Sequence, residues 1–493
     1  MTIALRLARR NEAPIRPERD YVLYWMIAAR RTRWNHGLEY AARRARELGR
    51  PLLVFEPLRA GYEWASHRLH RFVIEGMVDN AAACARAGVT YFPYVEPEDG
   101  AGHGLLEALA SRACVVVADE YPVFFLPRMV AAAAKQLDVA LGTVDSNGVL
   151  PLRATTGDFP TAHSFRRFLQ RNLTEHLLSA PAEDPLAGLR VHGAAEIPAD
   201  VSARWPAADL EALTAPGGLD SLPIDASVPP APVPGGPRAA ERALRAFVED
   251  RLERYGEERS HPDSDASSEL SPWLHFGHLS AHEAVAAVLS SEGWSPDRLS
   301  SRTDGSRAGW WGVGESAESF LDELVTWREL GHVFAFHRPH DYDRYSSLPD
   351  WARKTLAEHA GDPRPERYDL AALRDADTAD PIWNAAQRQL LQEGRMHNYL
   401  RMLWGKKILE WSRSPEDALD VMIELNNRYA LDGRDPNSYS GIFWVLGRFD
   451  RAWGPEREIY GKIRYMTSDS TARKLRLKHY LARWSEPALP LDR

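Results

Sequence analysis

Five short apolar runs, separated by stretches of helical periodicity, dominate the first 150 residues and restrict what that half can fold into. YVLYWMI (21–27), PLLVFEP (51–57), VTYFPYV (89–95), CVVVAD (114–119) and the weaker VALGTV (139–144) have the length and the β-branched and aromatic content of strands. Their apolar residues run consecutively rather than alternating, the pattern of strands covered on both faces. LEYAARRAREL (38–48) and LHRFVIEGMVDNAAACARA (69–87) supply covering helices. The expectation is a doubly wound α/β domain with a parallel sheet over residues 1–178. No GxGxxG follows the first run, so a dinucleotide fingerprint is absent there.

Prolines and small residues then crowd together to about Arg238, ending in VPPAPVPGGP (228–237). Residues 179–238 read as an inter-domain connector without a core of its own. From Ala239 to Arg493 the pattern is helical, interrupted by the Gly/Ser-rich loop at 293–316. Asp380 before Pro381, and Ser414 before Pro415, are N-cap and first-turn pairs, and the second helix is expected to stop at Gly433.

Cysteine supplies neither a disulfide framework nor a metal site, since the chain has two, Cys84 and Cys114, each in an apolar stretch. The opening MTIALRLARRNEAPIRPERD lacks the apolar core of a signal peptide, and no run is long enough to span a bilayer. A cytoplasmic protein without membrane contact is expected. The net charge of −8 is unevenly spread: residues 395–493 hold 18 Lys and Arg against 13 Asp and Glu, a surplus of five that leaves −13 on the rest. A basic face on an acidic body can bind phosphates and release their counterions.

Three stretches of the helical half can carry chemistry. Trp404 and Trp411, among 16 tryptophans, are two helical turns apart and share a face with Leu400 and Ile408. On its own that stripe is core packing; beside a redox cofactor it is suggestive. SSELSPWLHFGHLS (267–280) offers hydroxyls and amides where a helix begins, with Ser271 and Pro272 as N-cap and first residue. ELNNRYALDGRDPNSYSG (424–441) gathers amides, carboxylates and an arginine, and an amide such as Asn426 can donate or accept a hydrogen bond.

DPIWNAAQRQLL, GRMHNYLRMLWGKKILEW, LNNRYALDGRDPNSY and GKIRYM, in that order, resemble the signature blocks of class II cyclobutane pyrimidine dimer photolyases, and ELSPWLHFGHLS and FLDELVTWREL match two earlier blocks. The likeness is strong over residues 240–480 and collinear, though weaker, over the N-terminal domain. It implies a helical FAD-binding and DNA-binding domain that repairs dimers in damaged DNA by electron transfer from light-excited reduced FAD. It also implies that Tyr255, Ser267, Ser268, Leu270 and Ser271 hold the diphosphate side with Arg328 supplying positive charge. The same resemblance places Arg401 and Asp432 along the isoalloxazine and Asn426 facing its N5, where it is expected to stabilise the reduced forms. Trp383 and Trp404 resemble the main photoreduction relay, with Trp411 as a branch. By the same resemblance Glu323, Trp327, Met402 and Trp444 are expected to form the lesion pocket, Arg448, Lys462 and Arg464 to contact phosphates, and Trp453 to support the distorted duplex.

The chain departs from the family pattern in three places. MIAARRTRWNHGLEY keeps Trp34 and Asn35 but lacks the acidic residues usual after the first strand, Leu403 replaces a tyrosine, and Phe449 stands where a histidine is expected. A cryptochrome-like photoreceptor, or a flavoenzyme of the same fold without repair activity, is the alternative. The four lesion-pocket residues favour repair. A deazaflavin or folate antenna in the N-terminal sheet and a monomeric state complete the expectations.

Overall fold

The computed structural model describes residues 2–189 and 193–485, so three residues of the expected connector and the last eight of the expected helical domain lie outside it. The chain divides into two compact units. The first comprises 1–156, 172–244 and 270–287, and the second 157–171, 245–269 and 288–493.

In the first unit the five apolar runs become strands β2 (Tyr21–Trp25), β3 (Leu52–Leu58), β4 (Thr90–Val95), β5 (Ala113–Glu120) and β6 (Leu141–Asp145), all parallel. A sixth strand, β1 (Leu7–Arg9), pairs antiparallel with β6 at the edge; its three residues carry no legible pattern. The order β1-β6-β5-β2-β3-β4 places β2 inside the sheet, where the chain turns back to build the other half. Alternate β2 residues feed opposite cores, Tyr21, Leu23 and Trp25 on one face and Val22 and Tyr24 on the other. That two-sided burial explains the unbroken apolar runs.

The expected connector has no core of its own and packs on the first unit. Leu186 and Leu189 bury against the Val22 face of the sheet, and Ala195, Val201 and Trp205 against the Tyr21 face. Proline-rich composition therefore marks a strap that wraps the α/β unit and borrows its core.

The loop after β2 shows why a glycine fingerprint is not needed. Backbone N–H groups of Ile27, Ala28 and Ala29 all donate to Asp119 Oδ2 at 2.9 Å, and the Tyr24 hydroxyl donates to Oδ1. Three convergent amides are thus satisfied by an internal carboxylate where a Rossmann loop would meet a phosphate. Asn35 caps the following helix His36–Leu48 and donates to Tyr24 Oη and the Ala29 and Arg31 carbonyls, so this retained residue is an organiser of the loop.

The second unit is helical. Its chemistry-bearing helices are α1 (Arg328–His337), α2 (Pro381–Glu393), α3 (Asn398–Trp411), α4 (Pro415–Tyr429) and α5 (Pro436–Val445). Asp380 accepts the N–H groups of Ile382 and Trp383, and Ser414 that of Asp417, as their spacing before proline predicts. α4 ends at Tyr429, earlier than Gly433, because the chain leaves the helix in extended backbone at Ala430. Two glycines set close helix crossings. A Cβ on Gly331 would stand 2.8 Å from Asn437 Cα on α5, and one on Gly405 would stand 2.6 Å from Val445 Cγ2. These contacts hold α1 and α3 against α5. Among the described residues no helix is long and apolar enough to cross a membrane.

Candidate active site

Three buried indoles run through the second unit. Trp383 on α2 is fully buried and lies parallel to Trp404 on α3, with ring centroids 6.4 Å apart and planes 4° from parallel. Trp411 meets Trp383 edge to face at 5.5 Å, and Tyr368 meets Trp411 at 5.0 Å. The seven-residue spacing on α3 leaves a gap that the α2 indole fills. Trp411 therefore continues a row through Trp383, where the sequence reading made it a branch. Each inner indole N–H has an oxygen acceptor: Trp383 donates to the Trp404 carbonyl at 3.0 Å, and Trp404 to Gln387 Oε1 at 2.9 Å. Gln387 was not foreseen, although it lies one turn beyond Trp383 on the same helix. Leu403 is buried in the core.

The turn between α4 and α5 gathers the polar groups. Arg401 forks onto Asp432 with two bonds of 3.2 and 3.0 Å. The Asn426 amide donates to Ser438 Oγ at 2.6 Å and to Asn427 Oδ1 at 3.3 Å. Asn427 in turn accepts the Arg434 N–H at 2.8 Å and donates to Tyr439. The two asparagines thus divide the work: Asn427 pins the turn, where Arg434 has a left-handed φ of 63°, and Asn426 is held by its amide nitrogen.

Glu323 and Trp327 lie on a π-helical turn, Asp322–Trp327, that runs directly into α1. Such turns recur at functional sites because the extra residue re-aims side chains. This one is anchored by Arg166, which forks onto the buried Asp322 at 2.7 and 2.9 Å. Glu323 pairs with Arg259 at 2.7 Å, a partner not foreseen because it lies 64 residues away, at the end of the helix Leu252–Glu258. Burial pushes the Glu323 carboxyl above its ordinary range, outweighing the pull of Arg259 in the other direction. Arg259 also covers the ring of the buried Tyr255 at 5.3 Å.

Met402 and Trp444 are half-buried on the facing helices α3 and α5. Lys406, one turn beyond Met402, is fully buried, with Nζ 5.1 Å from the Trp444 ring. Arg464 is exposed and sits 5.6 Å from Trp444 and 4.5 Å from Trp453, which Arg451 also covers at 4.5 Å. Lys462 is exposed and pairs with Glu456 at 3.0 Å.

Arg448 corrects an expectation. Its guanidinium is buried, bonded to Asp158 and the Ser347 carbonyl and packed on Phe334, so it is committed inward and is not a phosphate contact. Burial lowers it to about 10. Phe449, in place of a histidine, has a left-handed φ of 64° and packs edge-on against Phe334 at 5.5 Å.

Ser267 and Ser268 are half-buried just before Glu269, which has a left-handed φ of 59° and pairs with Arg395. Arg328 is buried at the start of α1, with His332 beside it. Leu270 and Ser271 belong to the first unit. There the short helix Ser271–His275 starts one residue earlier than expected, so Ser271 is its first residue and does not cap it.

No protein-family model matches the chain. It is 35% identical over 470 residues to a deoxyribodipyrimidine photo-lyase of Methanothermobacter thermautotrophicus, covering 94% of both chains. It is 32% identical to that of Potorous tridactylus, over 92% of this chain and 79% of the relative. It is 33% identical to that of Oryza sativa subsp. japonica, over 94% and 87%. A bacterial class III photolyase from Agrobacterium tumefaciens, known from a crystal structure, shares the fold with a TM-score of 0.64 at 18% identity, over 94% of this chain and 86% of that one. Identity of a third along nearly the whole length, over a fold of this kind, means common descent: the chain belongs to the deoxyribodipyrimidine photolyase family.

Proposed function

We propose that this protein is a class II photolyase that binds FAD and repairs cyclobutane pyrimidine dimers in DNA under light. The observation that carries the proposal is the sharing of one helix. α3 contributes Trp404 to a buried row of indoles and, two residues earlier, the half-buried Met402, which with the half-buried Trp444 belongs to the expected lesion site. A path for electrons and a surface for a flipped-out dimer thus converge on a few residues. Class II membership rests on the block resemblance in α2 to α5 and GKIRYM.

The polar groups fit a flavin. An amide with its nitrogen already engaged leaves a carbonyl oxygen for a ring N–H, and a forked guanidinium–carboxylate pair suits the flat polar edge of an isoalloxazine. Asn426, Arg401 and Asp432 would hold the ring, and Tyr255, Ser267, Ser268 and Arg328 the diphosphate side. When bound and reduced, FAD supplies the electron that light transfers to the dimer.

The chain's own residues bind, orient and shield. A dimer is poorly stacked and poorly paired, so turning it out of the duplex costs less than for normal bases. Trp327 and Trp444 cover its faces, each stacked base contributing about 1–3 kcal/mol. Glu323, its carboxyl raised by burial, hydrogen-bonds a pyrimidine carbonyl edge of the dimer. Lys462, Arg464 and Trp453 contact the flanking strand without reading its sequence. Trp404, Trp383 and Trp411 give electrons a route between the interior and the surface.

The test is direct. Protein loaded with reduced FAD and mixed with a dimer-containing oligonucleotide restores thymines under blue light and not in darkness. No restoration by the fully reduced protein rejects the proposal.

A further inference from the structure

Lys406 plays no part in the scheme above, yet it is a fully buried lysine directly behind the proposed lesion pocket. It lies on the same face of α3 as Met402, four residues on. Its Nζ donates to the Val445 carbonyl at 2.5 Å, in the last turn of the helix that carries Trp444, and stands 5.1 Å from the Trp444 ring. An ammonium there serves α5 twice, satisfying a carbonyl left open at a helix end and placing positive charge at the negative end of its dipole.

The charged groups around it do not neutralise it. From the segment after α5, Asp450 attracts the ammonium and Arg464 repels it. Asp450 is itself engaged by Trp453 Nε1 at 3.1 Å and the Arg451 N–H. Tyr460 donates to the Lys406 carbonyl and to Glu410. On α3, Glu410 pairs with Lys407 at 3.2 Å, and Lys407 also lies near Asp380. The neighbouring lysine therefore has two carboxylates, while Lys406 has a backbone carbonyl and an indole.

Resting on the repair reading, we propose that Lys406 is a positioning residue for dimer recognition. Its buried cation fixes Trp444 from behind and strengthens the indole's hold on the lesion when charged, which makes discrimination of damaged DNA dependent on pH near neutrality. Burial lowers the lysine to about 7, so it is charged on the acid side and neutral on the alkaline side of that value. The neutral amine still caps α5 but loses its cation–π attraction.

The experiment measures binding in darkness, where no turnover occurs. The ratio of affinities for dimer-containing and intact duplex is followed from pH 6 to 9 for wild type, Lys406→Met and Lys406→Arg, with melting temperatures as folding controls. In wild type the ratio falls about fivefold as pH rises, the size of a cation–π contribution. K406M removes that fall and starts from the low alkaline ratio, and K406R keeps the high ratio at every pH. A K406M protein with the wild-type ratio and slope overturns the proposal. If K406M does not fold, a flat wild-type profile or a K406R profile that still falls with pH overturns it. A wild-type protein that prefers dimer DNA at no pH overturns the repair reading, and this proposal with it.

Discussion

Trp383, Trp404 and Trp411 are at most 2% exposed and packed ring against ring, with the Trp383 and Trp404 indole N–H groups on oxygen acceptors, whereas Trp327, Trp444 and Trp453 are half-buried. Cations stand against two of the second set, Lys406 and Arg464 at Trp444, and Arg451 and Arg464 at Trp453. In the first set Lys407 approaches Trp411 at 5.2 Å, but with carboxylates at hand. The contrast is one of use. An indole that passes an electron benefits from dryness, a neighbouring ring and an acceptor for its N–H. An indole that stacks on a base must keep a face open, and a cation enhances its attraction.

The strongest way to break the contrast is to remove the middle of the row. Trp383→Ala opens a cavity in a packed core, and a change of this kind costs about 3–5 kcal/mol. Trp383→Phe keeps most of the volume and is the cleaner probe. It abolishes photoreduction of the oxidised protein, measured by absorbance under blue light, and leaves dark binding of dimer DNA intact. If photoreduction in W383F equals wild type, the row is packing alone.

Trp444→Ala is the mirror experiment. Losing one stacking platform weakens dimer binding by about 1–3 kcal/mol. Photoreduction is unchanged, because Trp444 has no place in the row. A W444A protein that photoreduces slowly but binds normally would reverse the assignment of the two sets.

How much of this was legible depends on where a residue's partner lies in the chain. Runs buried on both faces announce β2 to β6, and Asp380 and Ser414 announce helix starts because their partners are two or three residues away. β1 is hidden because three edge residues make no pattern. The connector's packing is hidden because its scattered Leu186, Leu189 and Trp205 bury on a sheet built elsewhere. The same distance conceals charge. Nothing local tells that Arg448 and Lys406 are buried while Arg464 is exposed, or that Arg259 faces Glu323. The six tryptophans were found from the resemblance, and only the Trp404–Trp411 spacing reflects helical geometry.

Glu323→Gln sharpens the pocket side. The wild-type carboxyl is raised by burial, so between its ordinary and raised values the folded state keeps a proton that the unfolded chain has lost. Stability then falls as pH rises through that window. E323Q removes this part of the slope, visible in urea midpoints measured from pH 4 to 8. An unchanged stability slope would mean that Glu323 is ionised throughout and held by Arg259.

Arg464→Gln has the smallest effect and tests whether the cations beside the open indoles act on the rings or on DNA. The guanidinium is exposed and lies 4.5 Å from Trp453 and 5.6 Å from Trp444, so its cation–π contribution is about 0.5–1 kcal/mol. A phosphate contact has a different signature. Neutralising one phosphate fewer lowers the slope of log affinity against log salt by about one, equally for damaged and intact duplex. If R464Q lowers that slope for both duplexes, Arg464 contacts the backbone and its place over the rings is incidental. If the slope holds and only dimer affinity falls, Arg464 acts through Trp444 and Trp453.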